Sequence, residues 1–301
     1  MQALQSFEAM CYSINVPIAH DKTEGPSQCL EFLGVTLDTI RLQAVLPQSK
    51  ISSLFQQINH ALLASKLTLK QMQCLLGHLN FATTVIKPGR AFSRRLIATT
   101  LGIRKQHHHI RLPAWAKQDL IMWRKFLEHA NGCYFFRYFH LPSTLEFALV
   151  TDASGGIGCG GHWGTHWFRL RWPQWYLEQF NPSIAVLEMY PLYMACHLLS
   201  KNWCNHVVTF RSDNMAVVSI LAKQSSPDPV IMAMVRDIVM LTMKFNFSYN
   251  IQHVSGVDNS IADKISRFQD FSRIYPHADK MPLELPSFLQ LNDYTNILCS
   301  Y

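Results

Sequence analysis

The sequence predicts an α/β fold for its second half, a mixed five-stranded sheet with flanking helices over 145–268, preceded by a mainly helical segment. Two observations carry this prediction. Up to about residue 140 apolar residues recur mostly every three or four positions, the period of a helix buried on one face; from Leu145 they alternate or run in short blocks bounded by Gly, Pro and Asn, the pattern of strands. The blocks follow one another as βββ-α-β-α-α-β-α, which implies a mixed sheet with helices packed on its faces. Composition agrees: 49% apolar and 16% charged residues exclude a mostly disordered chain, and 301 residues suit roughly two domains.

In order, residues 1–20 read as an amphipathic helix through Leu4, Phe7, Met10, Cys11 and Ile14, ending in a turn at Pro17. Residues 29–46 read as two short strands around a turn near Asp38–Thr39. After Pro47 the period becomes helical at Ile51, Leu54, Phe55, Ile58 and Leu62. A second helix follows Thr68 and is broken by Lys87-Pro88-Gly89, a third starts near Ala91, and another runs from Ala114 to His129. Then EFALVTDAS is a strand, GGIGCGGHW a glycine-rich turn into a second, and HWFRLRW a third. Asn181-Pro182-Ser183 opens a helix to about Lys201, with Ser183 suited to cap it. HVVTFRS is a buried strand, Asn214 to Lys223 a short helix, and Pro227-Asp228-Pro229 starts another that reaches Phe245. FNFSYNIQHV alternates as a strand, Asn259 to Phe268 is a final helix, and 269–301 reads as an extended tail.

No stretch approaches the roughly 18 apolar residues of a membrane span, and MQALQSFEAMCYS lacks the basic and apolar regions of a secretory signal. Eight scattered cysteines without a CxxC pair read as buried thiols in a reducing, intracellular setting, with cytoplasm and nucleus both open. Their spacing with His162, His166 and His206 fits no zinc finger or ribbon. The net charge is +7, yet the segment Lys87–Lys125 alone carries +9, from ten basic residues and Asp119. Lys87, Arg90, Arg94, Arg95, Arg104 and Lys105 lead this strip, which reads either as a solvated helical face or as a site for a polyanion such as nucleic acid.

Four acids stand at element ends. Asp152 and Asp213 each end a hydrophobic strand, Glu188 lies one turn into the helix after Ser183, and Asp263 lies early in the last helix. Each alone has a plain structural reading: a turn or helix cap for Asp152 and Asp213, a first-turn acid for Glu188, and a surface acid paired with Lys264 or Arg267 for Asp263. Together, spaced by 36, 25 and 50 residues on this strand and helix order, they point to one sheet edge. Gathered carboxylates repel one another unless cations neutralise them, and oxygen-only ligands suit magnesium or manganese. Two such ions ~4 Å apart serve an in-line phosphodiester displacement.

The segments TDASGGIGCGG, AVLEMYPLYMA, FRSDNMAVV and HVSGVDNSIADKISR resemble the four motifs of a retroelement ribonuclease H domain. The last fills a His-x-x-Gly-x-x-Asn-x-x-Ala-Asp-x-x-Ser-Arg signature with His253, Gly256, Asn259, Ala262, Asp263, Ser266 and Arg267. Upstream, VPIAHDKTEGPSQCLEFLGVTLDT, LPQSK and TLKQMQCLLGHLNFATTVIKPGRAF resemble the end of a reverse transcriptase palm with its thumb and connection, in the style of DIRS-type retrotransposons. The resemblance implies a palm remnant over 1–46, a helical thumb/connection over 47–140, a ribonuclease H-like domain over 145–268 and a tail over 269–301.

It further implies a nuclease that cuts the RNA strand of RNA–DNA hybrids using two Mg²⁺ ions, with Mn²⁺ as a substitute. Asp152 then bridges both ions, Glu188 and Asp213 complete the ion at the leaving oxygen, and Asp263 holds the ion that activates water. Ser154, Gly155 and Asn214 join the basic strip as nucleic-acid contacts; Gly155 and Gly156 read equally well as a plain hairpin turn. No Asp-Asp pair occurs in the chain, so polymerase activity is not expected. The sequence reads as a fragment, with the fingers, most of the palm and a recombinase as missing partner portions. A catalytically silent nucleic-acid-binding remnant is the alternative, and an integrase-like transposase a weaker one, since Glu188 precedes the second aspartate.

Overall fold

The computed structural model describes residues 2–129, 133–135, 148–204, 206–245, 247–271 and 279–280. Helix α1 (Gln2–Ser13) and a 3₁₀ turn (His20–Lys22) lead into β1 (Cys29–Phe32), β2 (Val35–Asp38) and β3 (Gln43–Val45). These form an antiparallel sheet closed by β6 (Cys133–Phe135). The sequence pattern suggested two strands here; the structure has three. The first turn is Leu33–Gly34, where both residues have positive φ (49° and 77°), as a two-residue hairpin demands. Leucine is no turn former, which hides this turn. The second follows Asp38, whose Oδ1 accepts from the backbone N–H groups of Ile40 and Arg41.

Helix α2 (Gln48–Leu63) buries Ile51, Leu54, Ile58 and Ala61 along one stripe. A short ladder of β4 (Leu67–Thr68) and β5 (His109–Ile110) precedes α3 (Leu69–Ala82) in space. A reciprocal capping box starts α3: Thr68 Oγ1 accepts from the Gln71 N–H, and Gln71 Oε1 accepts from the Thr68 N–H. Lys87–Phe92 is a 3₁₀ segment, followed by α4 (Arg94–Ala98) and α5 (Ala114–His129).

The main sheet has the order β11-β10-β7-β8-β9-β12. β7 (Ala148–Ala153), β8 (Gly158–Trp163) and β9 (His166–Arg171) are antiparallel neighbours, while β10 (Val207–Ser212) and β11 (Ser248–His253) run parallel to β7. This is the expected mixed five-stranded sheet, with one addition: the two-residue β12 (Asp279–Lys280) pairs with β9 inside the stretch read as an extended tail. Of that tail, 272–278 and 281–301 lie outside the described residues. A further helix, α6 (Gln174–Phe180), occupies what the sequence pattern left as a connection; its aromatic run masks the helical period.

Helix α7 (Ile184–Leu199) lies between the sheet and α9 (Pro229–Lys244), so apolar residues surround it on nearly every side. Helices α8 (Met215–Lys223) and α10 (Ser260–Ser266) complete the layers. One buried apolar cluster runs continuously from Leu46 to Phe247, through both the helical segment and the sheet layers. Among the described residues Cys11, Cys159 and Cys196 are buried, but Cys29, Cys74 and Cys204 are exposed, correcting the reading of all as buried thiols. Among the described residues no helix is long and apolar enough to cross a membrane.

Where the helical segment meets α9, Asp119 of α5 is 0% exposed. Its Oδ1 accepts from Arg95 Nη2 at 2.6 Å and Arg236 Nη2 at 2.5 Å, and its Oδ2 from Arg95 Nε at 2.8 Å. Burial raises the Asp119 pKa and the two guanidiniums oppose the rise. Arg236 also lies over the Phe92 ring, 4.7 Å from its centroid. Asp119→Ala strands two guanidiniums in a largely dry junction, so the chain should lose about 3–5 kcal/mol of unfolding free energy, measurable by denaturant melts followed by circular dichroism.

Candidate metal centre

The centre begins with a strand that has no room for a Cβ at its glycines. In β8, a Cβ on Gly160 would come 2.5 Å from Ile265 Cγ2 of α10 and 2.6 Å from the Phe168 carbonyl, and one on Gly158 would come 2.2 Å from the Leu170 carbonyl. Glycines therefore let α10 lie directly on the sheet. Only Gly155 and Gly156 belong to the exposed turn, and added Cβ atoms there would meet open space. The glycine-rich run thus serves the strand as well as the turn.

With α10 seated, both oxygens of Asp152 are held from one helix. Ser266 Oγ donates to Oδ2 at 2.5 Å, and Asn259 Nδ2 donates to Oδ1 at 3.4 Å and to the Thr151 carbonyl at 3.3 Å. Asn259 and Ser266 are fully buried. The sequence signature contained both residues without giving them a task; two polar side chains on the buried face of a short helix were the available signal.

From the other side, α7 carries Glu188 inward; Ser183 starts that helix by accepting from the Val186 N–H. Asp213 follows the last residue of β10. The carboxylate oxygens of Asp152, Glu188 and Asp213 lie within 4.8 Å of one another. Asp152 is 6% and Glu188 7% exposed. Burial first, then the charges of Asp152 and Asp213, push the Glu188 carboxyl up to about 9, against a hydrogen bond from the Ala153 backbone. Burial likewise raises Asp152, with Asp213 and Asp263 adding to the rise and Ser266 opposing it.

Such a set is unfavourable without a positive charge among the oxygens. Glu188 Oε2 is buried without a hydrogen-bond partner among the described residues. An oxygen-only donor set with an orphaned oxygen fits a hard divalent cation, so the cluster can hold one.

The other predicted residues are distributed unevenly. Asp263 lies on α10 outside the group of three, with its side chain 40% exposed and Oδ1 accepting from Arg267 Nε at 2.6 Å. Ser154 is buried; its N–H donates to the Gly158 carbonyl and its own carbonyl accepts from Trp172 Nε1. Asn214 caps α8, its Oδ1 accepting from the Ala216 and Val217 N–H groups. Lys87, Arg90, Arg104 and Lys105 are exposed and Arg94 is half-buried. Arg95 is turned inward onto Asp119. His253 Nε2 lies 3.1 Å from the Asp213 backbone carbonyl.

The raised carboxyls make a stability prediction. A folded pKa above the unfolded value means that the folded chain keeps a proton that the unfolded chain releases. The associated stability is complete below the unfolded pKa of 4.5 and is lost as pH rises towards about 9. The ion-free chain should therefore weaken across that window, by at most about 1.4 kcal/mol per pH unit for this one group. Glu188→Gln should flatten the decline in thermal midpoint, and millimolar Mn²⁺ should raise the midpoint of the parent far more than that of the variant.

No protein-family model matches the chain, and no curated protein matches it. Among solved structures it is similar to RNase H1 from the halophilic archaeon Halobacterium salinarum NRC-1, at 15% identity and a TM-score of 0.28 over 39% of this chain and 90% of that one. It is also similar to a foamy viral protease-reverse transcriptase in complex with double-stranded DNA, at 16% identity and a TM-score of 0.28 over 74% of this chain. The chain spans 38% of the length of that second structure. The fold class rests on the strand order itself: an antiparallel β7–β8–β9 meander continued by parallel β10 and β11, with helices on both faces, is a ribonuclease H-like α/β fold.

Proposed function

We propose that the chain is a metal-dependent endonuclease that cleaves the RNA strand of RNA–DNA hybrids, as part of a DIRS-type retroelement reverse transcriptase. In this reading 1–46 is a palm remnant, 47–140 the thumb/connection and 145–268 the nuclease, acting inside the cell. The observation that carries it is the meeting of Asp152, Glu188 and Asp213, with their oxygens within 4.8 Å, at the end of a ribonuclease H-like sheet. Asp152, Glu188, Asp213 and Asp263 would hold two Mg²⁺ ions, which Mn²⁺ can replace. Bound there, the ions supply Lewis-acid activation of water and neutralise charge on the departing oxygen.

The chain's own residues do the positioning. Ser266 and Asn259 fix the direction of Asp152, and α7 buries Glu188 where water cannot solvate it. Asp263 flanks the group from the solvent side. Lys87, Arg90, Arg94, Arg104 and Lys105 would neutralise substrate phosphates, and strand choice would rest on 2′-hydroxyl contacts, which are insensitive to sequence. Polymerisation is not proposed, since the chain has no Asp-Asp pair.

A second reading, a silent nucleic-acid-binding remnant, is favoured by the 2.6 Å pairing of Asp263 with Arg267. One assay separates the two. With a labelled hybrid and Mg²⁺ or Mn²⁺, the parent should cut the RNA strand, and Asp152→Asn should cut at least about a hundredfold more slowly, the scale of losing a group that stabilises transition-state charge. Equal background cutting by both chains, with binding retained, would establish the silent remnant.

A further inference from the structure

We propose that the face of β9 carrying the half-buried Arg169 and the exposed Arg171, together with Phe268 just beyond α10, is a second phosphate-contact surface. It takes the backbone of the nucleic-acid duplex that continues from the carboxylate centre. The proposal rests on the nuclease reading only for the identity of that duplex.

Position comes from strand register. Asp152 of β7 pairs with Gly160 of β8, which pairs with Arg169 of β9; Gly158 pairs with Arg171. Directly paired residues face the same side of a sheet, so Asp152, Gly160 and Arg169 form one row, with the carboxylate and the arginine two strand spacings or about 10 Å apart. The end of α10 bridges that distance. Ser266 donates to Asp152, and two residues later the Phe268 ring lies 4.6 Å from the Arg169 guanidinium and 4.2 Å from that of Arg171.

Chemistry comes from what these cations lack. Among the described residues neither Arg169 nor Arg171 has a carboxylate partner, and their interactions are with rings: Arg169 over Trp167 and Phe268, Arg171 over Phe268. Lys280 adds a third positive charge, 6.0 Å from the Trp167 ring. A guanidinium lying on a ring face keeps its in-plane N–H donors free for a bidentate phosphate.

The backbone supplies an independent sign. Helix α10 ends in a paired motif in which the Gln269 N–H donates to the Lys264 carbonyl and the Phe268 N–H to the Ile265 carbonyl. The residue after the cap must then be left-handed, and glycine normally fills it. Here it is phenylalanine, at φ 59°. A bulky side chain in that conformation is unfavourable on local grounds; its ring is what holds the two arginines side by side.

The test reads binding without turnover. In an Asp152→Asn background, fluorescence anisotropy with a labelled RNA–DNA hybrid should show Arg169→Gln/Arg171→Gln weakening affinity. Two lost phosphate contacts should shrink that deficit about tenfold between 50 mM and 200 mM salt. Arg169→Lys/Arg171→Lys should keep the parental salt dependence yet lose part of the affinity, and Phe268→Gly should weaken binding while suiting the left-handed cap. Unchanged affinity and salt dependence in the Gln double variant would overturn the proposal, as would unchanged affinity in Phe268→Gly. A hybrid that binds through these arginines but is never cut by the parent refutes the nuclease reading alone. One cut and bound at parental levels by the Gln double variant refutes this surface alone.

Discussion

Two carboxylates, Asp152 and Glu188, sit almost fully buried beside each other and beside Asp213, and the surrounding architecture follows from that arrangement. Like charges in a low-dielectric interior are stable only if one is protonated, if donors satisfy them, or if a cation enters. The fold supplies the first two in part: Glu188 retains its proton to about pH 9, and Ser266 and Asn259 bind Asp152. Glu188 Oε2 is left over. The interior thus gathers negative charge, while the rest of the chain carries an excess of the opposite sign. A polyanionic substrate and a divalent ion are complementary to the two halves of this imbalance.

Burial of this kind needs thin neighbours. Any side chain at Gly160 would push α10 off the sheet, and both anchors of Asp152 would go with it; one at Gly158 would strike the Leu170 carbonyl and the Phe268 ring. Helix α7 answers from the opposite face. Its apolar surface, packed against β7, β8 and α9, brings Glu188 into the group as the one acid on an otherwise apolar helix. The conformational freedom of glycine matters little in β8. What matters is the absence of a Cβ between a strand and a helix that touch.

This explains which features were legible in the sequence. The order of strands and helices along the chain, the helix cap at Ser183 and the acids at element ends follow from local period and local chemistry, and they can be read without coordinates; the cap of α8 falls on Asn214, one residue after the Asp213 that the sequence offered. The Leu33–Gly34 hairpin and α6 could not, because their residues contradict the local rules: a leucine with positive φ and a helix masked by aromatics. The inward turn of Arg95 was hidden for a different reason. Arg95 reads as one more member of a basic strip, and only the packing of α5 and α9 on the 3₁₀ segment Lys87–Phe92 reveals Asp119 between Arg95 and Arg236, residues separated by 141 positions in sequence. Long-range pairing of this kind leaves no periodic trace.

The same distinction sorts the basic residues by function. A cation turned inward onto a buried acid has its donors engaged and faces away from a phosphate at the surface; Arg95 and Arg236, which share Asp119, are of this type. Cations lying on rings or in solvent keep their field, and for these a polyanion is the natural counter-charge. Arg90, Arg104 and Lys105 on one side, and Arg169 and Arg171 on the other, belong to the second type. Surface charge counted from sequence therefore overstates the helical strip and overlooks β9, where two arginines alternate with apolar residues and read as an ordinary strand. Sorting by partner rather than by position along the chain places Arg169 in the same sheet row as Asp152, so the ring-bound arginines and the carboxylates share one face of one sheet.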